Sequence, residues 1–185
     1  MPTGQDGTVA TTTRSANSIW RSRAHEFATR AAFRFRRDDA WQSLTWRQAD
    51  QSAREIAAGL LSLGLVTGDR VALLCQTRLE WLLCDVAIAM AGLVSVPIYP
   101  SSTSEQVAFL VGDSGARVVI AEDEQQIEKL AAVRAKHPGL HLVRIVGEKT
   151  MTGFTPRSVA PSGARVERRL TPVRVPPRRR CGPGR

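Results

Sequence analysis

The sequence lacks most of the features that usually point to a particular chemistry. Its three cysteines, Cys75, Cys84 and Cys181, form no CxxC pair, which leaves neither a disulfide framework nor a zinc-ribbon or redox motif. Cys75 and Cys84 sit inside apolar runs, where cysteine acts as a small hydrophobe. With no disulfide pattern, and no secretory signature in the polar, Thr-rich start, a reducing cytoplasm is the expected compartment. Long hydrophobic runs are missing too: the longest, Trp81 to Pro97, is interrupted by Asp85 and falls short of the roughly 20 residues a membrane helix needs. No GxGxxG, GxxxxGK(S/T) or GxSxG occurs, which removes the dinucleotide fingerprint, the P-loop and the nucleophile elbow.

Charge is unevenly spread over the 185 residues. The formal net charge of +9 invites a nucleic-acid reading, but Met1 to Lys149 holds 17 Lys+Arg against 16 Asp+Glu. Thr150 to Arg185 holds nine Arg and six Pro, no Lys, and Glu167 as its one acid. The basicity therefore belongs to a tail with no apolar period, expected to be disordered, as is a small, polar leader at residues 1–16.

The most informative stretch is Gly68 to Pro100. Val71 to Cys75 has no polar residue and follows the turn signal Gly68-Asp69, as a strand buried on both faces requires. Leu79, Leu82, Leu83, Val86, Ala87 and Met90 recur at helical spacing, Gly92 stops the helix, and Leu93 to Tyr99 reads as a second strand. This is a β-α-β unit. Upstream, Ser18 is expected to cap a peripheral helix, and Ala32 to Arg36 with Trp41 to Thr45 describe an antiparallel hairpin turning at Asp38-Asp39. Thr45 and Gln48 form a capping box for a helix whose apolar face is Ala49, Ala53, Ile56, Ala57, Leu60 and Leu61, ended by Gly64. Downstream, a second box, Thr103 with Gln106, opens a helix bearing Val107, Leu110 and Val111. Val118 to Ala121 is a third strand, a helix spans Asp123 to Ala135, and Leu140 to Val146 is a fourth strand. The alternation predicts an α/β fold, a partial doubly wound parallel sheet with flanking helices and a small N-terminal antiparallel hairpin. A sheet of this kind, only partly built, is expected to leave an apolar face or edge uncovered.

Candidate chemistry is sparse. Tyr99, Ser101, Ser102, Thr103 and Ser104 lie beyond a strand's carboxyl end, where open α/β sheets bind ligands, but capping accounts for Thr103 and the loop has no glycine. His137 and His141 have HxxxH spacing, yet Pro138-Gly139 forbids the helix that would align them on a metal. Asp113-Ser114-Gly115 is a turn into a strand. Glu122, Asp123, Glu124 and Glu128 are expected in the first turns of a helix, as a solvated face favoured by the dipole.

The succession AAFRFR, LTWRQADQSAREIAAGLLSLGLVTGDRVALL and EWLLCDVAIAMAGLVSVPIYPSSTSEQVAFLVGDSGARVVIAED resembles the N-terminal part of the AMP-forming acyl-CoA synthetases of the adenylate-forming ligase superfamily. IYPSSTSEQVAFLVGDS and the later MTGFTP, Met151 to Pro156, are most like the bacterial long-chain fatty-acid branch. The resemblance implies a division into a leader (1–16), the N-terminal part of an AMP-binding synthetase domain (17–149) and the tail (150–185). It also implies a reaction in which a fatty-acid carboxylate attacks the α-phosphate of Mg-ATP, after which coenzyme A displaces AMP from the acyl-adenylate. Such enzymes need a Gly-rich phosphate loop ending in Lys, a Thr-Glu pair, a ribose-binding Asp and a late catalytic Lys. None maps onto this sequence: Lys129, Lys136 and Lys149 are its three lysines, and none follows a Gly-rich loop. No catalytic, cofactor-binding or metal residue is therefore assigned, and ATP, Mg and CoA are expected of the family rather than of this chain.

The tail has two candidate origins, a genuine basic extension or out-of-frame translation of a GC-rich gene, and its abrupt onset favours the second. The leading expectation is a truncated long-chain fatty-acid-CoA ligase, inactive as this chain, with peripheral membrane contact as its only membrane association. The alternatives are a non-catalytic α/β module whose basic tail binds nucleic acid or an acidic surface, without sequence specificity, and a fragment that pairs with a full-length relative.

Overall fold

Apolar periodicity and capping residues set the elements of the computed structural model, which describes residues 15–37 and 39–145. In chain order these are α1 (Ala16–Glu26), β1 (Ala31–Arg37), β2 (Ala40–Thr45), α2 (Trp46–Ser62), β3 (Arg70–Leu74), α3 (Leu79–Met90), β4 (Val94–Ile98), α4 (Ser104–Ser114), β5 (Val118–Ala121), α5 (Glu124–Glu128), α6 (Ala131–Lys136) and β6 (His141–Arg144). The Met151–Pro156 motif, Cys181, the tail and the expected leader up to Arg14 lie outside the described residues.

Both expected capping boxes form. Thr45 accepts from the Gln48 N–H at 3.3 Å while Gln48 Oε1 accepts from the Thr45 N–H at 2.9 Å, and Thr103 and Gln106 repeat the exchange at 3.2 and 2.9 Å. The cap of α1 differs from expectation. Ser15, with extended φ −70° and ψ 155°, accepts from the Ser18 N–H, so Ser18 lies within the first turn and the helix starts inside the expected leader. A cap must precede the free N–H groups it satisfies, and Ser15 is the serine that does so.

β1 and β2 pair antiparallel, and the turn between them includes Asp39 at φ 58°. The second sheet is parallel throughout, in the order β4-β3-β5-β6. Its two central strands are buried from Val71 to Leu74 and from Val118 to Ala121, and alternate residues feed two separate cores. Val71, Leu73, Val118, Ile120 and Val143 face Ala53, Ile56 and Leu60 of α2 and Leu83, Ala87 and Ile88 of α3. Ala72, Leu74, Val119, Ala121 and Leu142 face Val107 and Val111 of α4 with Leu130 and Val133 at and within α6. Both faces of the sheet are thus covered among the described residues, so of the expected uncovered face or edge it is the edge, at β4, that stays open. The exposed apolar residues near the sheet and its helices include Val94 on the edge strand, Tyr99 just beyond it, Phe109 and Leu110 on the outer side of α4, and Leu61, expected on the apolar face of α2 but rotated to its margin.

The helix expected over Asp123 to Ala135 is two short helices. At the break the Leu130 N–H bonds the Ile127 carbonyl, a three-residue step that tightens the turn, while Leu130 is fully buried. The Lys129 ammonium turns away to donate to the carbonyls of Pro100 and Ser102, tying the break to the loop after β4. Gly115 ends α4 at φ 60°; a Cβ there would come within 2.7 Å of the Arg70 guanidinium, which donates to the carbonyls of Ser114 and Gly115.

Candidate functional site

In an open parallel sheet, ligands meet the carboxyl ends of the strands where neighbouring connections leave in opposite directions. That point lies between β3 and β5. The chain leaves β3 through α3 on one face toward β4, and leaves β5 through α5 and α6 on the other face toward β6. Arg78, Glu80, Glu122 and the backbone of Gln76 meet there. The Arg78 Nε donates to Glu80 at 2.7 Å and its second nitrogen to Glu122 at 2.9 Å; the other Glu122 oxygen accepts from the Gln76 N–H at 2.9 Å. The Glu122 N–H in turn donates to the Leu74 carbonyl at 3.1 Å. The Arg78 side chain is 30% exposed and each carboxylate 15%.

Glu122 therefore corrects the sequence expectation. It lies ahead of the helix rather than on its solvated face, because Asp123 supplies the cap of α5 by accepting from the Gln126 N–H at 2.9 Å. Glu122 is left at the strand end to bridge two loops. The hydrogen bond that Arg78 donates to Glu80, followed by the one it donates to Glu122, holds its guanidinium still more firmly protonated than usual, against the opposing effect of burial. Beneath them, burial, with the nearby Glu122 charge second, pushes the Cys75 thiol up to about 12. Burial also raises Cys84, so both are protonated thiols.

The other sequence candidates lie apart from this ion-paired cluster. Tyr99 to Ser104 follow the edge strand β4; Tyr99 is 82% exposed, Ser102 closes a turn onto the Tyr99 carbonyl, and Thr103 is spent on capping. His137 caps the end of α6 and His141 opens β6. The Ser114 Oγ donates back to the Leu110 carbonyl at 2.6 Å, at a helix end that leads into a strand. Among the described residues no group of three or more His, Cys, Asp or Glu is placed to hold a metal. An open groove of about 600 Å³ between α4 and α6 is lined by Glu105, Phe109, Asp113, Lys136 and His137.

The residues at the sheet's switch point do not fit the triphosphate of ATP. Two carboxylates take up the charge of Arg78, the Gln76 N–H already has an anionic acceptor, and neither 75–78 nor 99–104 contains a glycine through which backbone N–H groups could close on phosphate. The cluster works as a clasp between the β3 and β5 loops. Sequence reasoning missed it because its partners are 44 residues apart; the available signal was their position, each just past the end of a strand.

A parallel sheet wound on both faces, carrying an N-terminal hairpin, places the chain among the adenylate-forming enzyme folds. More narrowly, the chain belongs to the AMP-binding enzyme family, whose model matches residues 20–177. It is 34% identical over 140 residues to the long-chain-fatty-acid–CoA ligase FadD15 of Mycobacterium tuberculosis, covering 74% of this chain and 23% of FadD15. Among solved structures it resembles the anthranilate CoA ligase AuaEII in complex with anthranoyl-AMP (TM-score 0.63, 25% identity, 71% of this chain and 25% of that one). It also resembles the fatty acyl-adenylate ligase of L. pneumophila in complex with acyl adenylate and pyrophosphate (TM-score 0.55, 28% identity, 63% and 21%). The chain thus spans less than a quarter of the length of FadD15.

Proposed function

We propose that residues 17–149 are the N-terminal scaffold of a long-chain fatty-acid-CoA ligase domain, a unit that orders the sheet on which a ligase site is built without supplying its reacting groups. The observation that carries this reading is the 34% identity to FadD15 over 140 residues, combined with a strand-end cluster closed on itself by Arg78, Glu80 and Glu122. The reaction of the whole enzyme would join a fatty acid to CoA through an acyl-adenylate, with ATP split to AMP and pyrophosphate and Mg²⁺ as the metal that accompanies it, both held by residues outside this scaffold. On this reading the chain acts in the cytoplasm, makes peripheral membrane contact through its substrate class, and is inactive alone. The Arg/Pro-rich residues 150–185 stand outside the scaffold.

Two measurements test this. The purified 185-residue chain, given a fatty acid, ATP, Mg²⁺ and hydroxylamine, is expected to form no acyl-hydroxamate; turnover above the no-enzyme rate refutes the inactivity. A chimera in which residues 18–145 replace the matching stretch of FadD15 is expected to fold and to form acyl-CoA. A folded but inert chimera refutes the scaffold assignment.

A further inference from the structure

We propose that the outer face of the β1–β2 hairpin docks on a membrane leaflet carrying anionic headgroups. Strand alternation sorts the hairpin into two chemistries. Phe33, Phe35 and Leu44 turn inward onto the core, where Phe33 stacks with Trp20 at 6.2 Å and Trp20 meets Trp46 edge-on at 5.2 Å. On the other face Arg36 is directly opposite Trp41 and Arg34 directly opposite Ser43, and all four are exposed. Arg34 lies over the Trp41 ring, 5.8 Å from its centroid. Among the described residues nothing covers this face.

Trp41 is the anomaly. Trp20 and Trp46 are half-buried in the aromatic cluster, whereas Trp41 is 68% exposed on a two-stranded sheet whose other face packs on the main core. A tryptophan flanked by guanidinium groups suits the bilayer interface, where the ring lies at headgroup depth and arginines pair bidentately with lipid phosphates. Asp39 at the turn pairs with Arg36 at 3.0 Å, but with 95% and 65% of those side chains exposed the pair is easily exchanged for a phosphate. A single-stranded nucleic acid fits less well. Such sites stack successive bases on several aromatics, and this face has one ring, already covered by Arg34.

The proposal rests on the peripheral membrane contact of the ligase reading, and its test uses the full chain without ATP, CoA or fatty acid, so that failure removes that contact and leaves the ligase assignment, tested by acyl-CoA formation, standing apart. Binding is measured by co-sedimentation with vesicles of phosphatidylcholine alone or with phosphatidylserine, and by quenching of tryptophan emission with brominated phosphatidylcholine included. The expected result is binding that requires phosphatidylserine and weakens with salt, with quenching that falls sharply in Trp41→Phe because Trp20, Trp46 and Trp81 are half-buried and lie off this face. Arg34→Gln/Arg36→Gln should weaken binding by more than tenfold, at roughly fivefold per arginine near an anionic surface. Equal quenching in Trp41→Phe, or unchanged binding of the double variant, overturns the proposal. So does a loss of RNA binding in these variants with vesicle binding intact, which would make the face a nucleic-acid surface. Should the double variant fail to fold, Ser43→Arg adds a third guanidinium to the same face and should tighten vesicle binding about fivefold; no gain overturns the proposal equally.

Discussion

Replacing Arg78 with alanine tests the clasp at the head of the sheet most directly. The substitution removes two charge-assisted hydrogen bonds, of 2.7 Å to Glu80 and 2.9 Å to Glu122, and leaves two carboxylates that are each only 15% exposed. Removing one partner of a fully buried ion pair costs about 3–5 kcal/mol, since the charge left behind has lost both water and counterion. Arg78 is 30% exposed, so water partly replaces it, and the expected loss falls to about 2–3 kcal/mol. For a domain of this size that lowers the melting temperature by about 6–12 °C. Urea unfolding followed by far-UV circular dichroism reads the loss as a shift in midpoint at constant m-value. A double-mutant cycle isolates the cause. Glu122→Gln alone also destabilises, but once Arg78 is gone the neutral amide relieves a stranded charge, so the double variant should be more stable than the sum of the single losses predicts by about 1 kcal/mol. A loss below about 0.5 kcal/mol, or strict additivity, would mean the cluster is a solvated ion pair and refute the clasp.

The opposite end of β3 supplies a pH test. The Asp69 carboxylate accepts from the Val66 N–H at 2.8 Å and from Arg117 at 2.6 Å, and the Val66 bond above all holds its pKa below the usual carboxylate value. A lowered pKa in the folded state gives stability that is full above the ordinary carboxylate pKa and is lost as pH falls through the folded value. Asp69→Asn should therefore cost stability at pH 7, with the gap to the parent chain narrowing below about pH 4; urea titrations at pH 7 and pH 3 with equal gaps would contradict this. Cys75 and Cys84, both buried thiols whose pKa burial raises, should resist alkylation at pH 8 until the protein unfolds. Peptide mass spectrometry that finds either one modified rapidly in native buffer would show that the β3–α3 layer opens.

The parts of the fold legible in the sequence were those governed by local rules. Thr45 with Gln48 and Thr103 with Gln106 mark helix starts because a capping box is complete within four residues, and Gly64 and Gly92 mark stops through their positive φ. Val71 to Cys75 and Val118 to Ala121 read as buried strands because a strand covered on both faces tolerates no polar residue. Elsewhere the sequence was less decisive. Ser18 is expected to cap α1 but Ser15 does, and the apolar spacing of Ile127, Leu130 and Val133 fits one continuous helix, until the burial of Leu130 and the reach of Lys129 to Pro100 and Ser102 break it.

Local sequence set most of the succession of elements and the burial of the central strands, because capping, periodicity and strand composition act over a few residues, while the family was carried by the resemblance of whole segments. The pairing of strands was settled by the tertiary fold, which lays β5 beside β3 rather than beside β4, its predecessor in the chain. That adjacency brings Glu122 to Arg78 and converts an expected solvated acid into half of a clasp, and hairpin register likewise puts Trp41 on the same face as Arg34 and Arg36. Both juxtapositions depend on which strands pair and in what register, which local sequence does not encode.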